Sequence, residues 1–326
     1  MPAAADRNDL RIWHLTTGEA GTREQARGLA NALGPNAEEH IVDVNRFWAF
    51  GPPRLVGLGP PAVRSIQGKI ASPWPDVLVS CGRRSALVAM AISRRNPAPM
   101  VMVHLQPPAH PRAFDLVVAM AHDGLKGDNV IQVDTALHGI RPKSLAAAAA
   151  AGDARFVGLP RPWTGVLLGG ATRKRPFGYE DALRLADQLD ALRDRIGGSL
   201  LITPSRRTPA NLVAALGARY LSDQTVRIWD GDLPNPYLVI LAMSDNLVVT
   251  SDSVSMISEA LATTAPVFVF QLPGSARHLS FVNNLIDRGL VSTLDRPAHH
   301  CVRPPVDATA LVAESVRQLL SRRARG

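Results

Sequence analysis

The chain has 326 residues, 46% of them hydrophobic and 20% charged, which is enough for two globular domains and excludes a disordered protein. No apolar run approaches the ~20 residues of a membrane-spanning helix. The first residues, MPAAADRNDL, lack the apolar stretch of a secretory signal. The two cysteines, Cys81 and Cys301, form no metal-binding spacing and no disulfide framework, so we expect a cytoplasmic protein.

The formal net charge is +8, and the sequence pI is near 10.3. A basic chain favours an anionic partner such as a nucleotide or an acidic lipid surface, although an arginine-rich composition also arises from genome bias. We expect no nucleic-acid partner, because zinc-finger spacings and RNA-binding aromatic motifs are missing and only 5% of residues are aromatic.

Short apolar runs alternate with helical stretches over the first half of the chain, which is typical of β–α–β units with a parallel sheet. The predicted strands are Arg11–Leu15, Glu39–Val44, Asp76–Ser80, Met100–Leu105, Asp115–Ala119 and Asn129–Val133. The predicted helices are Arg23–Leu33, Pro61–Gln67 and Ser85–Arg94.

An alanine-rich helix that ends at Gly152 precedes the proline-containing stretch Gly158–Trp163, which indicates a linker. The alternation then restarts. The predicted strands are Thr164–Leu168, Gly198–Thr203, Val226–Trp229, Asn246–Thr250 and Pro266–Phe270. The predicted helices are Tyr179–Arg195, Pro209–Gly217, Pro236–Met243, Ser255–Thr263, Phe281–Asp287 and Asp307–Ser321. The sequence therefore predicts an α/β protein with two Rossmann-like domains, residues 1–157 and 158–306, facing each other across a cleft.

Two glycine-containing loops follow predicted strands, and ligands of α/β sheets bind beyond the carboxyl ends of the strands. Gly18 and Gly21 open the first helix with a G-x-x-G spacing. Gly169 and Gly170 precede a basic stretch, Arg173–Arg175, whose cations suit a phosphate. A tight turn with a solvated basic loop is the simpler alternative for the second stretch.

Two further polar loops follow strands of the second half. Ser205 and Arg206 offer a hydroxyl and a planar guanidinium that match phosphate oxygens, and a surface helix start before Pro209 is the alternative. Ser253 and Ser255 lie at a helix start, where unpaired N–H groups bind anions, although ordinary capping explains serines there equally well. Glu259, one turn later, is either a ligand of ribose hydroxyls or a solvent-facing residue. Together these loops favour a nucleotide site.

The chain resembles the elongated-mitochondria fission-factor-like family of plants and bacteria. The matching stretches are GEAGTREQARGLANALG, SCGRRSA, HDGLKGDNV, LLGG, ITPSRRTP and WDGDLPNPYLVILAMSDNLVVTSDSVSMISEA. That family is similar to GT-B glycosyltransferases, the class with two Rossmann domains that includes the lipid-linked muramyl N-acetylglucosaminyltransferase. The plant members are linked to recruiting a fission GTPase at mitochondria.

The resemblance implies roles for several residues. Glu259 would hold the ribose and the helix start at Ser253–Ser255 the pyrophosphate, while Gly18 and Gly21 would help to enclose the sugar or the acceptor. The final helix, in residues 307–326, would return to the N-terminal domain, because its apolar stripe must be buried. The family pattern often has an acidic residue where this chain has Gln106 and Pro107. His104, His122, Asp123 and Glu19 therefore remain as candidate bases.

These observations favour a glycosyltransferase that uses a UDP-type nucleotide sugar as its substrate, without a metal and without a tightly bound cofactor. An inverting transfer needs a base and a pocket for the leaving diphosphate, which Arg206 and the Ser253 helix start would supply. A non-catalytic adaptor of the fission-factor type is the alternative, and a nucleotide-sugar epimerase is a weaker one. The sequence leaves the oligomeric state open.

The stretch Asn45–Arg64 combines aromatic, aliphatic and arginine residues with breaks at proline and glycine. Such a loop suits the headgroup zone of an anionic bilayer, and it lies in the half that would bind a lipid-linked or membrane acceptor. We expect reversible attachment to the inner face of a membrane. The alternative is that its aromatic side chains seal the N-terminal core.

Overall fold

A computed structural model describes residues 10–45, 63–67, 70–170, 177–232, 234–274, 276–297 and 303–325. The chain forms two compact units, an N-terminal unit of residues 1–139 and 307–326 and a C-terminal unit of residues 140–306. Most of the predicted membrane-binding stretch, residues 46–62, lies outside the described residues, as do Arg173–Arg175 and Cys301.

The N-terminal unit contains a seven-stranded sheet in the order β3-β2-β1-β4-β5-β6-β7. All neighbouring strands are parallel except β2 and β3, which pair antiparallel. Strand bounds are Ile12–Thr16 (β1), Ala37–Val44 (β2), Val63–Gln67 (β3), Val77–Cys81 (β4), Val101–Leu105 (β5), Leu116–Met120 (β6) and Val130–Val133 (β7).

Helices α1 (Ala20–Leu33) and α2 (Arg83–Arg95) follow β1 and β4. Near the end of the chain, helix α9 (Ala308–Arg323) packs against α1, and its apolar side chains lie in the same core as those of β1, β4 and β5. Thr309 Oγ1 accepts a hydrogen bond from the N–H of His138 and donates one to its carbonyl, which joins α9 to the end of the N-terminal unit's main segment. The expected return of the final helix is thus observed.

The C-terminal unit contains a six-stranded parallel sheet in the order β10-β9-β8-β11-β12-β13. Its strands are Trp163–Leu168 (β8), Ser199–Pro204 (β9), Val226–Ile228 (β10), Asn246–Thr250 (β11), Val267–Phe270 (β12) and Ser292–Thr293 (β13). Its helices are Pro142–Ala151 (α3), Tyr179–Ile196 (α4), Ala210–Arg219 (α5), Tyr237–Met243 (α6), Val254–Leu261 (α7) and Ala276–Asp287 (α8). The predicted α/β class with two Rossmann-like domains is confirmed.

Two details of the prediction need correction. The predicted helix Pro61–Gln67 is the edge strand β3 over Val63–Gln67, because backbone pairing with β2 decides its conformation. The predicted boundary after residue 157 is too late: the chain divides between Gly139 and Ile140. The reason is that the alanine-rich helix α3 packs against α6 and so belongs to the C-terminal unit.

Among the described residues, no helix is both long enough and apolar enough to cross a bilayer.

Candidate functional site

The glycine loop after β8 is held by two side chains at the end of β11. The N–H of Gly169 donates to Thr250 Oγ1 at 2.8 Å, and the N–H of Gly170 donates to Asp252 Oδ2 at 2.7 Å. A Cβ at Gly169 would lie 2.3 Å from the Asp252 carboxylate, and one at Gly170 would lie 2.2 Å from the Arg207 carbonyl oxygen. Only glycine permits this approach at either position.

The turn after β9 approaches the same loop. Thr208 Oγ1 donates to the carbonyl oxygens of Leu168 and Gly169, at the end of β8. The same hydroxyl accepts from the N–H of Ser205 at 2.8 Å, and Ser205 Oγ lies 3.0 Å from it. Ser205 lies beside the glycine loop, and its N–H also donates to the Leu168 carbonyl at 2.9 Å, while its hydroxyl contacts Thr208 within the turn. Thr208 makes the side-chain link to the loop, which the sequence did not reveal.

Helix α7 begins at the end of β11, next to the glycine loop through Asp252. Ser253 is its N-cap, and its Oγ accepts a hydrogen bond from the N–H of Met256 at 3.3 Å. Ser255 is half-buried in the first turn of the helix. Capping by Ser253 satisfies one of the free N–H groups that a helix start carries, which leaves others for an anion.

Glu259 is held by a tyrosine from another helix. The hydroxyl of Tyr237, on α6, donates to Glu259 Oε2 in a short hydrogen bond. Burial, followed by the Glu259 charge, raises the pKa of Tyr237 well above its usual value, so the tyrosine stays a donor at neutral pH. The sequence did not indicate this partner, although Tyr237 lies within the motif WDGDLPNPYL.

Arg206 provides a cation next to these loops. Its side chain is exposed and has no hydrogen bond or ion pair within the part of the chain that the structure describes. An exposed guanidinium at the carboxyl end of β9 is therefore available for a ligand.

The turn after β10 contains Asp230 and Asp232, an Asp-x-Asp spacing that the prediction of a metal-independent reaction does not take into account. Both side chains are exposed, and Asp230 Oδ1 accepts from the N–H of Asp232 at 3.1 Å. The described residues contain no group of three or more His, Cys, Asp or Glu side chains that could hold a metal ion. The absence of a metal in the reaction stays a prediction.

A cavity of about 170 Å³ lies at the carboxyl ends of β9 and β10, and α6 lies on one side of it. Its lining includes the aromatic residues Phe156 and Trp229, the aliphatic residues Ile202, Ile228 and Ile240, and the arginines Arg155 and Arg227. The wall is mostly apolar with a few polar groups, as in pockets that bind small molecules.

In the N-terminal unit, Gly18, Glu19 and Gly21 are exposed at the end of β1. Gly18 has a φ of 91°, and Glu19 is the N-cap residue of α1. The hydroxyl of Thr17 donates to the Glu19 carboxylate. The structure therefore places Glu19 at a helix start with its carboxylate accessible, as a base would require.

His122 and Asp123 form a short 3-10 turn, Ala121–Asp123, directly after β6. Asp123 Oδ2 accepts from the N–H of Met120 at 3.0 Å, and its Oδ1 lies 3.8 Å from His122 Nε2. Both side chains are more than nine-tenths buried. The hydrogen bond from the N–H of Met120 gives Asp123 a structural role in closing the turn.

His104 and Gln106 lie at the end of β5. His104 is 1% exposed, its Nδ1 lies 2.8 Å from Ser80 Oγ, and burial lowers its pKa to about 4. A histidine so enclosed cannot reach a substrate in this conformation. Gln106 has a φ of 82°, a region that non-glycine residues rarely adopt.

The fold is found in other proteins of low sequence similarity. A structure from Listeria monocytogenes that is assigned to the UDP-N-acetylglucosamine 2-epimerases aligns with a TM-score of 0.53 at 11% identity, covering 97% of each chain. MurG of Acinetobacter baumannii aligns with a TM-score of 0.48 at 13% identity, covering 95% of this chain and 90% of MurG. At these identities the first likeness establishes the fold alone.

Sequence comparison is more specific. Mitochondrial fission protein ELM1 of Arabidopsis thaliana is 31% identical over an alignment of 277 residues, which covers 76% of this chain. The chain spans 65% of the length of that plant protein. The family model for mitochondrial fission ELM1 matches residues 20–320. This chain therefore belongs to the mitochondrial fission ELM1 family.

Proposed function

We propose that the C-terminal unit binds the nucleoside diphosphate part of a UDP-type nucleotide sugar, and that the protein is a glycosyltransferase of the GT-B type. The observation that carries this proposal is the contact between three strand ends, in which Gly170 and Asp252, and Gly169 and Thr208, are joined by hydrogen bonds. Helix α7, with its free N–H groups, begins at the same place.

Each part of such a ligand has a matching element in this unit. The diphosphate fits the start of α7 and the Arg206 guanidinium, both of which favour negative charge. The ribose hydroxyls fit Glu259, which Tyr237 holds in one orientation. The nucleobase fits the cavity whose lining includes Trp229. In a transfer, the cationic and N–H donors would stabilise the negative charge that develops on the leaving diphosphate.

The acceptor hydroxyl would lose its proton to a general base. Among the predicted candidates Glu19 suits this role best, because its carboxylate is exposed, whereas Asp123 closes a turn and His104 is buried. Removal of that proton makes the oxygen a nucleophile for the anomeric carbon, and the diphosphate leaves with the bonding electron pair.

The nucleotide site is tested by calorimetric titration with UDP and with uridine. Arg206→Ala should weaken UDP binding by about 1.5–3 kcal/mol, the cost of a charge-assisted hydrogen bond, and leave uridine nearly unchanged. Arg195→Ala is the matched control, because it removes the same charge from the last turn of α4. An equal loss for both ligands, or an equal loss in both variants, contradicts the phosphate assignment.

A non-catalytic adaptor is the second candidate function, and Gln106 favours it, because the resemblance implies an acidic residue in this stretch and an amide stands there instead. Release of UDP from a panel of UDP-sugars separates the two functions. A transferase should release UDP, and Glu19→Gln should reduce the rate at least about tenfold if Glu19 is the base. UDP binding without release in any condition supports the adaptor. Repeating the assay with a chelator tests the role of Asp230 and Asp232.

We further propose that the acceptor is presented on an anionic membrane, to which Asn45–Arg64 attaches the protein. The support is the sequence alone, with its aromatic and arginine side chains. Co-sedimentation with phosphatidylglycerol vesicles at low salt should retain the parent protein. The double variant Arg46→Ala/Trp48→Ala should remain in the supernatant. Equal retention of parent and variant would exclude this stretch as the anchor.

A further inference from the structure

The cavity at the carboxyl ends of β9 and β10 is lined in part by a short segment that precedes the C-terminal sheet. A 3-10 helix, Ala154–Phe156, lies between α3 and β8, and both Arg155 and Phe156 line the cavity. Phe156 is 3% exposed, and its ring lies 6.0 Å from that of Trp163 in an edge-on contact. The short helix is therefore fixed against the start of β8, and Arg155 projects from a well-packed position.

The guanidinium of Arg155 is held by Asp153 from the same turn. Arg155 Nε donates to Asp153 Oδ1 at 2.8 Å and Nη2 donates to Oδ2 at 2.5 Å, a two-point pairing that fixes the plane of the guanidinium. Asp153 is also the N-cap of the short helix, and its side chain is only 10% exposed. The hydrogen bonds from Arg155 lower the pKa of Asp153, so the pair stays charged at neutral pH.

The same guanidinium reaches the segment that joins β10 to α6, whose described residues are 229–232 and 234–236. Arg155 Nη2 also donates to the carbonyl oxygen of Pro234 at 2.8 Å. Earlier in this joining segment, the indole N–H of Trp229 donates to the carbonyl oxygen of Asp232. Trp229 lines the cavity, so the joining segment forms one of its walls. A hydrogen bond to a charged donor is stronger than a neutral one, and Arg155 therefore supplies the stronger of these two contacts.

The contact at Pro234 also bears on the residues proposed to hold the ribose. Pro234 lies three residues before Tyr237, the tyrosine whose hydroxyl donates to Glu259. Asn235, between them, accepts a hydrogen bond from the N–H of Tyr237 through its Oδ1 at 2.9 Å. Because only two residues intervene, a shift of the Pro234 carbonyl displaces the start of α6 and with it the Tyr237 hydroxyl. One hydrogen bond from Arg155 thus fixes both a wall of the cavity and the partner of Glu259.

We propose that Arg155 is a positioning residue, which holds the joining segment so that the cavity and the Tyr237–Glu259 pair bind the nucleobase and the ribose of one nucleoside together. This inference rests on the proposed nucleotide site and adds to it a residue that no strand end supplies. Asp153 acts through Arg155, by fixing its guanidinium. Binding groups need such supporting hydrogen bonds, because a loop that lacks them does not hold its side chains in one geometry.

Hydrogen exchange of the free, full-length protein tests the structural step. In Arg155→Ala, a peptide that covers the joining segment and the start of α6 should exchange about fivefold faster, while a β11 peptide should exchange as in the parent. Arg219→Ala is the matched control, because it removes another arginine of the C-terminal unit that is paired with an aspartate, Asp190. Unchanged exchange of the joining segment in Arg155→Ala, or an equal increase in both variants, overturns the proposal.

Calorimetric titration tests the binding step. Arg155→Ala should weaken uridine binding about fivefold, whereas inorganic pyrophosphate, which has neither base nor ribose, should bind as it does to the parent. Arg155→Lys should fall between the two proteins, because an ammonium group keeps a donor but loses the planar fork. If the parent binds no uridine, the proposed nucleotide function fails and this role fails with it. If the parent and Arg155→Ala bind uridine equally, the role of Arg155 alone is overturned.

Asp153→Asn separates positioning from direct contact between Arg155 and the base. The described lining of the cavity includes Arg155 but not Asp153. Asparagine keeps an oxygen that can cap the short helix, and it removes the charge that fixes the guanidinium. Asp153→Asn should therefore weaken uridine binding about threefold, and adding it to Arg155→Ala should cause no further loss, because the two residues act as a unit. Unchanged uridine affinity in Asp153→Asn contradicts the positioning role and indicates a direct contact instead.

Discussion

The two units use the same β–α architecture but bury different polar groups in their sheets. Strands of the N-terminal unit enclose His14, His40 and His104, each at most 3% exposed. The described strands of the C-terminal unit contain no histidine, and their buried polar residues are hydroxyls such as Thr203 and Thr250. Hydroxyls do not titrate, so the hydrogen bond between Thr250 and the N–H of Gly169 should persist over a wide pH range.

This difference predicts that acid destabilises mainly the N-terminal unit. Burial lowers the pKa of His14 and of His104 to about 4, and it also lowers the pKa of His40. Above pH 6.5 these groups are neutral in both states. As pH falls from 6.5 to 4, the unfolded chain takes up protons that the folded chain refuses, and stability is lost. His14 and His104 together should cost about 6 kcal/mol by pH 4.

Hydrogen exchange at pH 7 and pH 5, corrected for the intrinsic rates, measures this effect in both units of one molecule. Peptides of β1, β4 and β5 should lose protection at pH 5, whereas peptides of β8 and β11 should change little. His104→Asn should reduce the loss of unfolding free energy with falling pH by about 1.4 kcal/mol per pH unit. His110→Asn, at an exposed position, should leave that loss unchanged. Equal loss in both units would show that the buried histidines are not the cause.

The second difference is that the N-terminal unit needs the far end of the chain to complete its core. Val316 on α9 is fully buried together with residues of α1 and β1, whereas Leu311 on the same helix is 53% exposed. Val316→Ala should lower the free energy of unfolding of the N-terminal unit by about 2 kcal/mol, through lost burial and a cavity.

Leu311→Ala is the control, with an expected change under about 0.5 kcal/mol. Urea unfolding followed by hydrogen exchange of β4 and β8 peptides assigns the loss to one unit. A larger loss in β8 than in β4 would show that α9 stabilises the C-terminal unit instead.

The sequence was sufficient to predict local features of both units but not the contacts between distant parts of the chain. Buried strands such as Asn246–Thr250 were predicted from apolar runs, and the glycines at 169 and 170 marked a close approach. The edge strand β3 was missed because its sequence has no clear period of two, and its conformation depends on pairing with β2. Thr208 and Tyr237 were missed as site residues because their partners are 39 and 22 residues away in the chain. Spacing within one loop contains no information on such contacts.

The smallest expected effect concerns Tyr237, which holds Glu259 in the C-terminal unit. Tyr237→Phe removes the hydroxyl that donates to Glu259 Oε2 and leaves the ring in place. Because only the orientation of the carboxylate is lost, uridine and UDP affinity should fall by about 1 kcal/mol, roughly fivefold, at neutral pH. Tyr179→Phe, which removes the hydroxyl of a 55% exposed tyrosine in the same unit, should have no effect. Inorganic pyrophosphate should bind the Tyr237 variant and the parent equally, because it lacks a ribose. If both variants bind uridine like the parent, Glu259 does not contact the ribose, and the nucleotide proposal must rest on the glycine loop and Arg206 alone.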